Sequence, residues 1–239
     1  MLLLAVLSCI VLTNAYFAKA DFTFGTPTNL GPTVNSSFVE VADCFSSDGL
    51  ELYFASNRGG SGNYDIYVAT RATTQHAWGV PVNLGYVVNS YEYDHKPSIS
   101  ADGLSLFFMD YPVQRPGGYG GSDLWVSRRA TMNDDWREPM NLGPSVNSPF
   151  RDGGPDISAD GRTLFCVSDR PGSWGGRDLW QVSIDPVIDF NSDGIVDTED
   201  LLKLIEHWGQ NEPAYDMGPM PWGDGVVDAA DLEVLMSYW

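Results

Sequence analysis

The chain has 239 residues, of which 43 % are hydrophobic and 13 % aromatic; this is enough apolar material for a packed core and excludes a chain that is disordered throughout. The formal net charge is −19, from 13 basic and 32 acidic residues. Such an excess of negative charge argues against nucleic acid or an anionic membrane surface as the partner, and it favours cations.

The first twenty residues have the composition of a secretory leader. Residues 2–12 are almost continuously apolar, and residues 18–20 supply the small-x-small pattern that a signal peptidase cleaves. An uncleaved membrane anchor is the alternative, but the apolar run is shorter than the roughly 20 residues needed to cross a bilayer. We therefore predict a signal peptide at residues 1–20 and a protein that is secreted or lies at the cell surface.

Three copies of one sequence pattern follow. Each copy opens with Asn-Leu-Gly and Val-Asn, continues through Asp-Gly, an aromatic strand and an Arg-Gly stretch, and closes with Asp, an aliphatic residue and an aromatic residue. The copies begin at Asn29, Asn83 and Asn141, so their spacing is 54 and 58 residues. A repeat of this length is typical of arrays and propellers.

Short runs of alternating apolar residues, bounded by Gly, Pro, Asn and Asp, predict strands joined by turns within each copy. In the first copy we place these strands at residues 39–45, 50–56, 65–71 and 78–83. The Asp-Gly pairs that begin at positions 48, 102 and 160 predict tight hairpins between the first two strands. The sequence therefore predicts a mostly β domain, residues 21–185, built from three four-stranded blades.

The order of these motifs resembles the WD-like β-propeller repeat of TolB type over residues 22–185. The resemblance implies a propeller whose face binds a partner and which has no fixed catalytic set. Closed propellers typically have four to eight blades, so three imply an open or incomplete propeller. Because open sheet edges associate with other chains, we expect the terminal faces to be covered by another copy, by the C-terminal module or by a partner.

An arginine and an aspartate frame the glycine-rich stretch of every repeat, and we predict an ion pair between them. The three pairs are Arg58 with Asp65, Arg115 with Asp123, and Arg170 with Asp178. A catalytic pair has no need to occur in every repeat, so the recurrence favours a structural role.

A second set of acidic residues lies five positions after each Val-Asn, at Glu40, Asp94 and Asp152. Carboxylates that converge on a propeller axis could serve a glycosidase. Triplicated acids, however, are more often turn-capping or strand-end residues, and we predict no catalytic residue among them. The repeats are then expected to bind a glycan or peptide ligand; a glycoside hydrolase or an accessory protein of polysaccharide breakdown is the alternative.

An acidic loop and a helix replace the strand pattern after residue 186. Oxygen-bearing side chains stand at positions 1, 3, 5, 9 and 12 of residues 189–200, and Gly194 at position 6 permits a sharp turn. This spacing predicts a calcium site. Its ligands are the side chains of Asp189, Asn191, Asp193, Asp197 and Asp200 and the carbonyl of Ile195.

The module then repeats itself at an offset of 31 residues. The predicted ligands of the second loop are Asp224, the carbonyl of Val226, Asp228 and Asp231. The same offset puts Met220 and Trp222 where the first and third ligands belong, and neither side chain coordinates calcium. Asp216, through a longer loop, is the candidate substitute. We therefore expect calcium to bind tightly at the first loop and weakly or not at all at the second.

Each acidic loop is followed by apolar residues at helical spacing. They are Leu201, Leu204, Ile205 and Trp208 in the first half and Leu232, Leu235, Met236 and Trp239 in the second. Two calcium loops, each followed by one short helix, resemble the type I dockerin, a duplicated relative of the EF-hand.

The dockerin resemblance covers residues 189–239 and implies calcium as the cofactor and a cohesin-like protein as the partner. The residues that help dockerins choose a cohesin are here Thr198-Glu199 and Ala229-Ala230. Because the halves differ, symmetric binding in two orientations is unsupported. The sequence as a whole predicts a secreted calcium-binding interaction protein, with a propeller-like domain at residues 21–185 and a docking module at residues 186–239.

Overall fold

The computed structural model describes residues 26–59, 64–111, 115–218 and 223–239. The predicted signal peptide at residues 1–20 lies outside them. The described part of the chain is mostly β, with eleven strands and three helices. None of these helices has the length and apolarity needed to cross a membrane.

The strands form three antiparallel sheets, each built from strands that are consecutive in the chain. The first sheet consists of β1 (Glu40–Phe45), β2 (Glu51–Ser56), β3 (Asp65–Thr70) and β4 (Val82–Asn83). Helix α1 (Gly85–Val88) leads to the second sheet, which consists of β5 (Tyr93–Ile99), β6 (Ser105–Tyr111), β7 (Leu124–Arg128) and β8 (Met140–Asn141). The third sheet consists of β9 (Asp152–Ile157), β10 (Thr163–Ser168) and β11 (Asp178–Ser183).

The third sheet has three strands in the described ranges, where the repeat pattern predicts four. In the first two sheets the fourth strand contains the first residue of the following repeat: Asn83 lies opposite Tyr67, and Asn141 lies opposite Trp125. The repeat pattern is not continued after β11, and the described residues that follow it form no equivalent strand for the third sheet.

The Asp-Gly hairpins are confirmed in all three sheets. Gly49, Gly103 and Gly161 have φ angles of +70°, +76° and +70°. Only glycine adopts this backbone conformation without strain, so these turns explain why glycine stands at the same place in each repeat.

The second sheet is packed on both faces. One cluster of buried side chains joins it to the first sheet and includes Tyr53, Ile66, Ile99, Leu106, Phe108 and Trp125. Another joins it to the third sheet and includes Phe107, Leu124, Val126, Ile157, Leu164 and Cys166. A third cluster lies on the other face of the first sheet and contains Val34, Leu52, Phe54, Tyr67 and Ala69.

The C-terminal residues form a separate core around two helices, α2 (Thr198–Glu206) and α3 (Ala229–Met236). Its buried side chains are Leu204, Met217, Val227, Val234 and Leu235. None of these residues belongs to the clusters between the sheets, so the repeats and the helical module are held together by different cores.

Candidate metal centre

The first acidic loop is closed by its opening aspartate. The carboxylate of Asp189 accepts hydrogen bonds from the backbone N–H groups of Asp193 at 3.2 Å and Gly194 at 2.8 Å. Gly194 has a φ of +86°, which is the sharp turn expected at the sixth position. These two bonds bring the start of the loop back onto its own turn.

Asp200, at the twelfth position, is fully buried and joins the loop to helix α2. Its carboxylate accepts from the N–H groups of Phe190 at 2.7 Å and Asp197 at 2.9 Å. Burial raises the pKa of Asp200, but these backbone donors, together with Asn191, outweigh burial and hold the pKa below its usual value. The group is therefore kept as a carboxylate, the form that a cation requires.

The second acidic loop repeats this network with Asp216 in the place of Asp189. The Asp216 carboxylate accepts from the N–H groups of Asp224 at 2.9 Å and Gly225 at 2.6 Å, as Asp189 does from Asp193 and Gly194. Gly225 has a φ of +99° and makes the same turn. Asp216 thus closes the second loop.

Asp231 is the counterpart of Asp200 and is also fully buried. It accepts from the N–H groups of Gly218 at 2.7 Å and Asp228 at 2.6 Å. Asp228 begins helix α3 as its N-cap, just as Asp197 begins α2. The first turn of each helix therefore contains a buried aspartate that accepts hydrogen bonds from backbone donors at the two ends of its own loop.

Loop length explains why a constant offset did not place Asp216 among the predicted ligands. Asp189 precedes Asp200 by 11 residues, whereas Asp216 precedes Asp231 by 15. The extra length includes residues 219–222, which the structure does not describe and which contain the two positions that the offset pointed to. Asp216 was the candidate that the sequence offered through a longer loop, and an aspartate one residue before an apolar residue, Phe190 or Met217, marks the same place in both halves.

The two loops differ in the number of oxygen donors. At the third position the first loop has Asn191, and the second has Gly218. A Cβ at Gly218 would lie 2.4 Å from the backbone carbonyl carbon of Ala230, so no side chain fits there. The second loop therefore has one side-chain oxygen donor fewer than the first.

The acidic side chains of the loops are not drawn into a compact cluster. Within the described ranges, no three acidic, histidine or cysteine side chains are close enough together to form a metal site. Burial raises the pKa of Asp216, two backbone donors oppose the shift, and the charges of Asp231 and Asp224 add to it. Burial is therefore the main cause of the raised pKa of Asp216, and the charges of the neighbouring carboxylates contribute less.

The apolar faces of the two helices are divided between the core and the surface. Leu204 and Leu235, at matching positions, are fully buried. Leu201 and Leu232 are partly buried against the same core. The other four large residues of the predicted faces, Ile205, Trp208, Met236 and Trp239, are 45–53 % exposed. The module therefore presents two pairs of apolar side chains, related by the internal repeat, to solvent.

A cavity of about 390 Å³ beside the second sheet is lined by Tyr86, Tyr91, Arg115, Trp125 and Glu138, among others. Both tyrosines are 79 % exposed. The other repeats have Pro32 and Pro144 in the place of Tyr86, and Ser37 and Pro149 in the place of Tyr91. These aromatic walls are therefore not part of the repeat pattern, which is why the motif comparison did not single them out.

The ion pairs of the repeats differ from those predicted. Arg58 pairs with Glu40 at 2.9 Å, Arg115 with Asp94 at 2.7 Å and Arg170 with Asp152 at 2.5 Å. The predicted pairing with Asp65, Asp123 and Asp178 is wrong, because each arginine lies next to the acidic residue at the first or second position of the first strand of its own sheet. An arginine therefore forms an ion pair with each of the three repeated acidic residues, Glu40, Asp94 and Asp152. This pairing favours their structural role.

Comparison with known proteins gives a limited likeness. No protein-family model matches the chain, and no curated protein matches it. Among solved structures, TolB from Agrobacterium tumefaciens is 17 % identical with a TM-score of 0.45, over 63 % of this chain and 47 % of that one. TolB from Acinetobacter baumannii is 17 % identical with a TM-score of 0.44, over 63 % of this chain and 31 % of that one.

Prolyl oligopeptidase B from Galerina marginata is 16 % identical with a TM-score of 0.35, over 61 % of this chain and 21 % of that one. The chain thus spans less than half the length of each of these three proteins. At such identities the likeness concerns the fold alone.

Proposed function

We propose that this chain is a secreted calcium-binding interaction protein, in which a dockerin-like module attaches a propeller-like repeat domain of three blades to a cohesin-like protein. The observation that carries the proposal is the matched network of the two acidic loops. Asp189 and Asp216 each close their own loop by accepting from two backbone N–H groups at matching positions, and Asp200 and Asp231 each anchor one helix. Two loops of different length that share these bonds point to a shared function rather than to acidic turns formed by chance.

The donor set of the first loop suits calcium, which takes six to eight oxygen ligands in flexible geometry. Asp189, Asn191, Asp193, Asp197 and Asp200 offer side-chain oxygens, and Ile195 offers its carbonyl. In the second loop Asp216, Asp224, Asp228 and Asp231 offer carboxylates, and Val226 offers its carbonyl. Calcium would neutralise these carboxylates. The shorter donor list predicts weaker binding at the second loop.

The docking role is supported by the exposed side chains of the module. Ile205 and Trp208 on the first half and Met236 and Trp239 on the second are large, apolar and about half-exposed. Exposed apolar residues that occur together mark interaction surfaces, and tryptophan is enriched among the residues that dominate binding energy. The partner is then a protein with an apolar surface that meets both helices.

A second candidate function, binding of a glycan or peptide by the repeats, is favoured by the cavity beside the second sheet. Tyr86 and Tyr91 provide aromatic faces, and Arg115 and Glu138 provide polar groups at its wall. Ligand sites typically combine aromatic lining with a few such groups. Glycoside hydrolysis remains the alternative activity, and the arginine partners of Asp94 and Asp152 weigh against it.

Calcium titration calorimetry on residues 21–239 tests the first proposal. We expect one tight site in the unchanged chain, loss of that site in Asp193→Ala, and its retention in Asp224→Ala, which alters the matching position of the second loop. Asp185→Ala, an exposed acidic position outside both loops, is the control and should bind as the unchanged chain does. Two equal sites that survive Asp193→Ala would contradict the proposal.

A glycan array and a hydrolase screen test the second candidate. A ligand of the cavity should be lost in the double variant Tyr86→Ala, Tyr91→Ala and retained in Tyr111→Ala, which removes a partly exposed tyrosine elsewhere on the second sheet. Turnover of a glycan by the unchanged chain would favour the hydrolase instead.

A further inference from the structure

Successive sheets are joined by one recurring set of hydrogen bonds. They run from the opening loop of a repeat, residues 83–89 or 141–147, to the third strand of the preceding sheet. At the first junction, Asn89 Oδ1 accepts from the N–H of Ile66 at 2.8 Å, and Asn89 Nδ2 donates to the carbonyl of Ile66 at 3.1 Å. In the same loop, Asn83 Nδ2 donates to Asp65 Oδ2 at 2.7 Å.

The second junction has the same bonds. Asn147 accepts from the N–H of Leu124 at 2.8 Å and donates to the carbonyl of Leu124 at 2.9 Å. Asn141 Nδ2 donates to Asp123 Oδ2 at 3.0 Å. Asn147 and Leu124 are buried, as are Asn89 and Ile66 at the first junction. Two asparagines of each opening loop thus bind an aspartate and the residue after it on the preceding sheet.

The third sheet carries the receiving half of this junction without its loop. Asp178 and Leu179 of β11 correspond to Asp123 and Leu124 of the second sheet. Leu179 is 82 % exposed. Beyond the pairing of β11 with β10, no residue in the described ranges forms a hydrogen bond with the backbone of Leu179. The outer edge of β11 is therefore free to accept an opening loop.

The first repeat carries the other half of the junction, also unused. Asn29 Oδ1 accepts from Gly31 N–H at 2.7 Å and from Asn35 Nδ2 at 3.0 Å. Asn83 makes the same two bonds, with Gly85 at 2.7 Å and Asn89 at 2.9 Å. The opening loop of residues 29–35 is thus already formed.

Within the part of the chain that the structure describes, no sheet receives this first loop. Asn35 Oδ1 and Asn29 Nδ2, the atoms that would reach such a sheet, have no hydrogen-bond partner among the described residues. Leu30, between the two asparagines, is about half-exposed. A preformed loop with its recognition atoms free needs little further ordering when it binds.

We infer that two copies of this chain associate head to tail, with the opening loop of each copy bound to the β11 edge of the other. Asn35 takes the N–H and carbonyl of Leu179, and Asn29 donates to Asp178. The occupant is a second copy because each chain carries one spare loop and one spare edge with matching donors and acceptors. Two such junctions close a ring of six sheets, within the four to eight blades of closed propellers.

The apolar surface of the third sheet fits the same arrangement. Phe165 is 41 % exposed, whereas Phe107, its counterpart in the second sheet, is fully buried against the third sheet. Leu179 and Leu124 show the same contrast. In the ring, Phe165 and Leu179 are covered by the first sheet of the partner copy, and burial of their apolar surface adds to the hydrogen bonds of the junction.

Multi-angle light scattering on residues 21–239 tests the inference. The expected mass is twice that of the monomer. Asn35→Ala and Leu179→Asp, one on each side of the junction, should each raise the dissociation constant of the dimer about tenfold per junction, so about a hundredfold for a ring with two. Asn133→Ala and Leu202→Asp, matched changes at exposed positions elsewhere, should leave it unchanged.

Mixing the two variants separates this arrangement from other dimers. A copy with Asn35→Ala keeps a normal β11 edge, and a copy with Leu179→Asp keeps a normal opening loop, so the mixture forms mixed dimers with one intact junction. These should be tighter than either variant alone, because Asn35 and Leu179 meet in one contact, so the two losses in the remaining junction overlap instead of adding. A monomer at every concentration, a dimer that neither variant weakens, or a mixture no tighter than its components would each overturn the inference, as would growth into species larger than the dimer. Melting curves of both variants confirm that they are folded.

Discussion

The second and third sheets have one sequence pattern and opposite environments. Phe107 and Leu124 of the second sheet are fully buried, whereas Phe165 and Leu179, at the same places in the pattern, are 41 % and 82 % exposed on the third. The second sheet has a neighbour on each face, and the third has one on a single face. The pattern thus specifies strands and the direction of their side chains, and the presence of a next sheet decides which side chains are buried.

The largest expected effect tests this contrast directly. Phe107→Ala removes a buried ring between two sheets and should lower the free energy of unfolding by about 3 to 5 kcal/mol. Phe165→Ala, at the matching position, should lower it by less than about 1 kcal/mol in dilute solution, where the chain is monomeric. Urea denaturation of both variants measures the difference. Equal losses would mean that Phe165 is covered within the single chain.

Loss of the ion pairs should cost the second and third sheets a similar free energy of unfolding, because both sheets bury them. Asp94 and Asp152 are fully buried next to Arg115 and Arg170. Removal of either arginine leaves an unpaired buried carboxylate, so Arg115→Ala and Arg170→Ala should each cost about 3 kcal/mol or more.

Thermal melting measures the loss, and Arg151→Ala serves as the control. Arg151 pairs with Asp169 in a largely exposed position, and its replacement should cost about 0.2 to 1 kcal/mol. If Arg115→Ala left the melting temperature unchanged and abolished ligand binding, the arginine would act in the cavity and not in the fold.

The smallest expected effect concerns the junction asparagines. Asn147→Ala leaves the N–H and carbonyl of Leu124 buried without their side-chain partner and should cost about 1 to 3 kcal/mol. Asn35→Ala, at the matching position of the first repeat, removes no bond to another sheet within one chain and should leave the stability of the dilute monomer unchanged. Chemical denaturation at low protein concentration distinguishes the two. A comparable loss in both would show that Asn35 already binds within its own chain.

Local features of the repeats could be predicted well from sequence. The strands predicted at residues 50–56 and 65–71 are observed as Glu51–Ser56 and Asp65–Thr70, and the Asp-Gly turns lie where glycine is needed. Alternating apolar residues and positive-φ glycines act over a few residues, so a short stretch of sequence contains their whole cause. The fourth strand was harder, because only Val82–Asn83 of the predicted residues 78–83 pair with β3.

The partners of polar side chains could not be read in the same way. Arg115 and Asp123 are close in sequence, yet the guanidinium reaches back 21 residues to Asp94. A longer second loop puts Asp216 at a position that the 31-residue offset between the two halves does not reach. Only its bonds to the N–H groups of Asp224 and Gly225 show that it corresponds to Asp189. Sequence spacing measures distance along the chain, whereas hydrogen bonds depend on distance through space.

By itself the sequence determined that this protein is mostly β, that one unit recurs three times, and that an acidic, helical module follows, because these properties arise from local periodicity and from glycine and aspartate at fixed positions. Only the tertiary structure decided which arginine meets which acid, that the opening loop of one repeat completes the sheet before it, and that β11 receives no such loop from the residues described. These outcomes depend on how separate repeats pack against each other, and the sequence of one repeat does not specify the contacts that it makes with its neighbours.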